Sequence, residues 1–167
     1  AMFTFNVGKL INKSEGSVES FKIDERVDFK EKAEPKLVSN ITCSVQFLKL
    51  PHEINVSLKD FHVSTQCVCS RCLKEFIYDI DISSVEREFI IDLPASDLIP
   101  GEDVFYIDAT TNKIDLFDMI REEILLHFPV IPICSLRCKG LCDKCGINLN
   151  EEKCKCKHDE GVKKFIF

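Results

Sequence analysis

Ten cysteines stand in this chain of 167 residues, and six of them, crowded near its end, constrain the fold more than any other feature. Cys134, Cys138, Cys142, Cys145, Cys154 and Cys156 surround the run Lys139-Gly140-Leu141-Cys142-Asp143-Lys144-Cys145-Gly146. Two thiolates separated by two residues can face one ion, and the glycine after the second lets the backbone turn so that its amides point at sulfur. Cys69 and Cys72 repeat that spacing around Ser70-Arg71, far upstream.

Whether these thiols are ligands or disulfides depends on size and compartment. With 45% hydrophobic and 30% charged residues, the chain can bury one core without covalent staples. Tryptophan is absent and phenylalanine frequent, so Phe, Ile, Leu and Val should fill that core. No stretch approaches the roughly 20 apolar residues that span a bilayer, and Met2 to Lys9 lacks the apolar run of a secretory signal. The expected location is cytoplasmic, where thiols stay reduced and cysteines serve as metal ligands or free thiols.

The net charge of -6 is unevenly placed. From Cys134 onward, eight lysines and arginines face five acids, a formal +3, which leaves -9 on the remainder. An acidic body favours basic partners and opposes broad contact with nucleic-acid phosphates. Ordinary acidic solubility accounts for the same charge.

Period-two alternation dominates the first two thirds. Strand patterns run over Phe21 to Phe29, Ile41 to Phe47 and Ile54 to Leu58, and Ile41, Cys43, Val45 and Phe47 alternate strictly with polar neighbours. The alternation changes phase at Lys59-Asp60 and resumes with Phe61, Val63, Thr65 and Cys67, which predicts a bulge or turn in a long strand that delivers Cys69 and Cys72 at its end. Phe76, Tyr78, Ile80 and Ile82 alternate again, followed by Phe89 to Leu93 and a break at Pro94. Ser96 to Asn112 read as a connection with one short strand at Val104 to Ile107. The period then becomes helical. Asp115 is placed as N-cap and Asp118 in the first turn, with an apolar stripe of Leu116, Phe117, Ile120, Ile124, Leu125 and Phe128 that should pack on the core. Pro129 and Pro132 end it.

The fold expected is therefore α+β: an antiparallel β-rich domain over residues 1–133, with one main helix near 115–128, and a cysteine-rich zinc-knuckle segment over 134–167. Cys43 and Cys67 lie within apolar alternation and read as small buried residues.

Four cysteines around zinc make a closed structural site with no open position for water. Cys142 and Cys145 supply the first pair. The second pair is either local, from Cys138, Cys154 and Cys156, or is Cys69 and Cys72 brought over by folding; eight thiols also permit two sites. The sequence reading favours the local set Cys138, Cys142, Cys145 and Cys156, with Cys154 as the substitute. Such a site contributes on the order of 10 kcal/mol of apparent binding free energy, enough to fold a segment with almost no core.

Other chemistries lack their context. A dithiol oxidoreductase opens a helix with its Cys-x-x-Cys in a strand-helix-strand unit, whereas Cys69 and Cys72 precede another strand and Cys142 and Cys145 lie among Gly, Asn and charged residues. The zinc-deaminase spacing is missing, as are the nucleophile elbow, the phosphate loop and the dinucleotide fingerprint. His52, His62, His127 and His158 are scattered; His62 and His127 read as half-buried residues and His158 as a spare ligand. No enzyme is expected.

Cys69-Ser70-Arg71-Cys72-Leu73 after a strand, then Ile114-Asp115-Leu116 opening a helix that ends in Phe128-Pro129-Val130-Ile131-Pro132, then Cys138-Lys139-Gly140-Leu141-Cys142-Asp143-Lys144-Cys145-Gly146-Ile147-Asn148-Leu149-Asn150 and Cys154-Lys155-Cys156 stand in order. In this the chain resembles the YceD family of bacterial and plastid proteins, from about Phe21 to Cys156. The resemblance implies a non-enzymatic role in accumulation of large-subunit ribosomal RNA and in ribosome assembly. Its partners would be a ribosomal protein or a large-subunit rRNA precursor, with no membrane and no small-molecule substrate. An acidic sheet holding a basic protein, with the lysine-bearing knuckle near RNA phosphates, fits that role, and Arg71 is a candidate phosphate fork. The alternatives are a zinc-ribbon interaction module in transcription and, behind it, a dithiol oxidoreductase.

Overall fold

In the computed structural model, which describes residues 3–30, 35–91, 105–107 and 110–157, the alternation of Ile41 to Phe47 becomes the interior strand β4 (Ile41–Lys49), with every second residue buried. It pairs antiparallel with β2 (Val18–Glu25), Ile23 lying opposite Cys43, and with the long β5 (Glu53–Val68). β6 (Glu75–Ile90) flanks β5 on its other side. The short β3 (Lys36–Leu37) pairs with the far end of β5, beyond the reach of β4.

The phase change at Lys59-Asp60 is a bulge. Thr42 faces His62 while Ser44 faces Lys59, and Asp60 at the irregularity has φ 52. The extra residue returns Phe61, Val63 and Thr65 to the face already occupied by Ile54, Val56 and Leu58, so one strand stays buried through two registers. β7 (Phe105–Tyr106) runs parallel to β6, a departure from an all-antiparallel sheet. The rest of the expected connection falls largely outside the described residues, as do Pro94 and His158.

The first residues add elements that the sequence pattern did not announce. β1 (Thr4–Asn6) pairs with β8 (Lys113–Asp115) in a separate two-stranded sheet, and α1 (Gly8–Ile11) buries Leu10. Phe5, Phe21 and Phe47 meet with ring centroids 5.2 to 5.6 Å apart. Full burial of a side chain such as Phe47 contributes about 2 to 3 kcal/mol.

α2 (Phe117–His127) starts later than Asp115 as N-cap requires. Asp115 ends β8, and its Oδ1 accepts the Phe117 N–H at 2.9 Å. The Leu116 N–H, at the cap position, bonds instead to the Phe3 carbonyl. The buried face is Leu116, Met119, Ile120, Glu123 and Ile124, while Leu125 is exposed. Glu123 tolerates burial because Arg87 Nη2 bonds its carboxylate and His127 lies 3.7 Å from its other oxygen. Phe128 is already extended before Pro129, where the ring of proline disfavours helix.

The chain divides into two compact units, each discontinuous in sequence. The first, Ala1–Gln66 with Ile77–Phe128, contains the main core of Phe, Ile, Leu and Val side chains. Cys43 sits in that core, where burial pushes its thiol up to about 11. The second unit is Cys67–Phe76 with Pro129–Phe167. The cysteine-rich segment is therefore joined by the turn between β5 and β6, which the sequence reading assigned to the β-rich domain.

Candidate metal centre

The turn after β5 is built to present sulfur. The Cys69 N–H bonds the Lys74 carbonyl at 2.8 Å and the Leu73 N–H returns to the Cys69 carbonyl at 2.9 Å, with Leu73 itself left-handed at φ 62. The Ser70 N–H donates to the Pro132 carbonyl at 2.8 Å, which fixes the approach to Cys134. The Cys134 N–H then donates to Cys69 Sγ at 3.3 Å, and Arg71 Nη1 to the Cys138 carbonyl at 3.2 Å. Arg71, a candidate phosphate fork in sequence, thus uses one guanidinium nitrogen to hold a cysteine backbone.

These bonds assemble Cys69, Cys72, Cys134 and Cys138, all Sγ atoms within 4.8 Å of one another. Cys69 lies 3.8 Å from Cys138 and Cys72 lies 3.7 Å from Cys134. Phe76, Ile133 and Leu141 pack around them. Four sulfurs about 2.3 Å from a tetrahedral zinc would stand about 3.8 Å apart, so the quartet has the size of the ion it would enclose.

A second quartet, Cys142, Cys145, Cys154 and Cys156, satisfies the same 4.8 Å limit. The Cys142 N–H bonds the Ile147 carbonyl at 2.8 Å and the Gly146 N–H returns to the Cys142 carbonyl at 2.9 Å, a turn that Gly146 permits with φ 73. The Lys144 and Cys145 amides point at Cys142 Sγ from 3.4 and 3.5 Å, as the glycine after the second cysteine foreshadows. Cys154 lies 3.6 Å from Cys145 and 3.2 Å from Cys142. No pair is at disulfide distance, and none of the ten cysteines is in a disulfide.

The partition differs from the local set read in the sequence. Cys138 joins Cys69, Cys72 and Cys134 rather than Cys142, Cys145 and Cys156, and Cys154 stands beside Cys156 instead of replacing it. Cys134, outside the favoured local set but among the eight thiols of the two-site alternative, completes the first quartet. The physical reason is the spacer Lys139-Gly140-Leu141. Gly140 takes φ 77 against the Arg71 carbonyl, which turns the chain away after Cys138 and delivers Cys142 to a different cluster. Cys67 is buried and outside both clusters.

Crowding splits the acidities within each quartet. Burial raises Cys69, but N–H groups of Cys134, Cys72 and Arg71 outweigh it and bring the thiol down to about 6. Burial and sulfur neighbours push Cys134 up to about 12. In the second quartet the Cys145 and Lys144 amides bring Cys142 down to about 6. Cys154, although the Cys156 amide lowers it, is pushed up to about 12 by Cys142 and burial. Each cluster thus sets a lowered thiol beside a raised one, where a cation would neutralise all four sulfurs.

Neither Cys-x-x-Cys opens a helix: the first lies in a turn between strands and the second in a loop closed by the Leu141–Asn148 bridge. The context of a thioredoxin-like dithiol is missing from both places.

Comparison with known proteins places these motifs within a matched family. The model of the family "Large ribosomal RNA subunit accumulation protein YceD" matches residues 60–165, a span that contains all eight quartet cysteines. The large ribosomal RNA subunit accumulation protein YCED homolog 1, chloroplastic, of Arabidopsis thaliana is 38% identical over 65 residues, which are 39% of this chain and 20% of that protein. Its Zea mays counterpart is 38% identical over 60 residues, 35% of this chain and 20% of that one. The matched part is therefore about a fifth of either relative's length. No solved structure matches. Because the family model covers more than half of its residues, the chain belongs to the YceD family of large ribosomal RNA subunit accumulation proteins.

Proposed function

We propose that this protein is a non-enzymatic factor for accumulation of large-subunit ribosomal RNA, acting by binding during assembly of the large ribosomal subunit. The family match over residues 60–165 carries this reading. Its cysteine-rich unit is a scaffold organised by structural Zn2+, held by Cys69, Cys72, Cys134 and Cys138 and by Cys142, Cys145, Cys154 and Cys156. Closed four-thiolate sites leave zinc no position for water, so the ion shapes the segment and activates nothing. The protein works in a reducing compartment, the cytoplasm or its plastid equivalent, where these thiols stay available.

Partner chemistry follows from the surface. Asp79, Asp81, Glu86 and Glu88 are exposed along β6, a line of carboxylates suited to a basic ribosomal protein. Arg137, Lys139, Lys144, Lys153 and Lys155 are exposed in the cysteine-rich unit and suit RNA phosphates.

Depletion of the protein should lower large-subunit rRNA relative to small-subunit rRNA, and tagged protein should co-purify with large-subunit precursors. Co-purification with polymerase and promoter DNA instead would favour a transcription module. An unchanged rRNA ratio on depletion would reject the assembly role. Binding of a large-subunit rRNA fragment should weaken with added salt if the lysines meet phosphates.

A further inference from the structure

Asn150 links the two cysteine quartets through a single side chain. Its Nδ2 donates to Cys138 Sγ at 3.3 Å and to Asn148 Oδ1 at 2.9 Å, while its Oδ1 accepts the Lys139 N–H at 2.8 Å. Cys138 is a member of the first quartet. Asn148 closes the hairpin of the second, where Leu141 and Asn148 form a bridge and the Leu149 N–H bonds the Gly140 carbonyl at 2.9 Å. Lys139 begins the three-residue spacer between the quartets. One amide therefore engages a sulfur of one cluster, the turn of the other and the chain that joins them.

The spacer has little slack. Gly140 is left-handed, and a Cβ built on it would stand 3.3 Å from the Arg71 carbonyl. A shift in the second hairpin is thus transmitted to Cys138 rather than absorbed. The second quartet also draws on a short stretch, Cys142 to Cys156, whereas the first joins residues 62 to 69 positions apart. Loop closure favours the shorter span, so the second cluster can form without waiting for the first.

We propose, on the metal reading above, that the eight thiols take up two divalent ions of zinc-like preference as one coupled centre. Filling Cys142, Cys145, Cys154 and Cys156 raises the affinity of Cys69, Cys72, Cys134 and Cys138, and Asn150 carries the coupling. An ion in the second quartet fixes the hairpin that holds Asn148 and Asn150. The Asn150 side-chain amide, through Nδ2–H, then meets Cys138 already in place, stabilising its thiolate and orienting its sulfur. Groups bonded to ligands in this way alter metal affinity by about 10- to 100-fold when removed. Because coupling between sites is reciprocal, the first ion strengthens the second by the same factor.

The test uses the full chain, stripped of metal under reducing conditions and titrated with Zn2+ against a chelator of known affinity. Total metal is counted independently, and Co2+ absorption reports thiolate coordination. The parent should take up two ions cooperatively. Asn150→Ala should also take up two, but in separate steps, with the first quartet weakened by about 10- to 100-fold. Cys145→Ser, which alters a sulfur of the second quartet alone, should retain one tightly coordinated ion, weakened to a similar degree. Asn150→Asp keeps an acceptor for Lys139 but places a carboxylate against Cys138, and should weaken the first quartet at least as far as Asn150→Ala. Circular dichroism of the strand signal, and hydrogen exchange at the Ser70 amide, distinguish loss of coupling from loss of fold. Parent-like affinities at the first quartet in Asn150→Ala and Cys145→Ser would overturn the coupling and leave the metal reading intact. A reduced, folded parent that binds no ion would overturn both.

Discussion

Gly140 and Gly146 form a matched pair for testing how the cysteine-rich unit is held together. Both are left-handed, at φ 77 and 73, so alanine at either position incurs the same backbone strain of about 1 to 2 kcal/mol. Their surroundings differ. A Cβ at Gly146 meets nothing within 4 Å, whereas one at Gly140 lies 3.3 Å from the Arg71 carbonyl, an atom of the turn that carries Cys69 and Cys72. Backbone held in a turn yields poorly, and forced overpacking adds about 1 to 3 kcal/mol. Gly140→Ala should therefore cost about 2 to 5 kcal/mol in total, against the 1 to 2 kcal/mol of strain at Gly146→Ala. The assay is hydrogen exchange at the Ser70 N–H, whose partner is the Pro132 carbonyl, in protein supplied with Zn2+. Gly140→Ala should speed exchange there about tenfold or more beyond Gly146→Ala. Equal acceleration by the two variants would refute the inference that close approach to Arg71, rather than glycine geometry alone, aligns Cys138.

Zinc uptake should release protons at pH 7, since Cys134 and Cys154 stand near 12 and must ionise to bind; calorimetry in buffers of different ionisation enthalpy measures this. The depressed thiols Cys69 and Cys142, near 6, contribute stability to the metal-free protein that is fully present above the ordinary thiol range and lost as pH falls through 6, so urea unfolding of reduced, metal-free protein should show stability falling with acidification across that window. Arg87→Ala, which leaves the buried Glu123 carboxylate without its guanidinium partner, should destabilise the first unit by about 3 kcal/mol in urea unfolding, and Glu123→Gln should cost less. Cys43→Ala should leave the metal count unchanged and cost about 1 kcal/mol, because Cys43 is a core residue outside both clusters.

Legibility in the sequence followed the range of the interaction. Ile41 to Phe47 could be read because alternation is local, and the bulge at Lys59-Asp60 because a change of phase is visible in the strand itself. The Cys142-to-Cys145 turn was readable for the same reason, its glycine standing next to the ligands. β1 and α1 were missed: Thr4–Asn6 is too short for a pattern and depends on β8, more than a hundred residues away. Asp115 looked like a cap because sequence cannot show that its backbone belongs to a strand pair. The structure groups Cys138 differently from the favoured local set, because proximity along the chain favours Cys142 while the Gly140 turn and the distant Cys69–Cys72 loop draw Cys138 to the other cluster. Glu123 shows the same limit, since only tertiary structure supplies Arg87 beneath a helix face that composition would leave in water.

A cluster whose members lie 62 to 69 positions apart also keeps time during translation. Cys69 and Cys72 emerge from the ribosome well before Cys134 and Cys138, and until those arrive the early pair lacks half of its quartet. Truncation anywhere in the interval would strand it. Closure of this knot by an ion would thus certify that synthesis has passed Cys138.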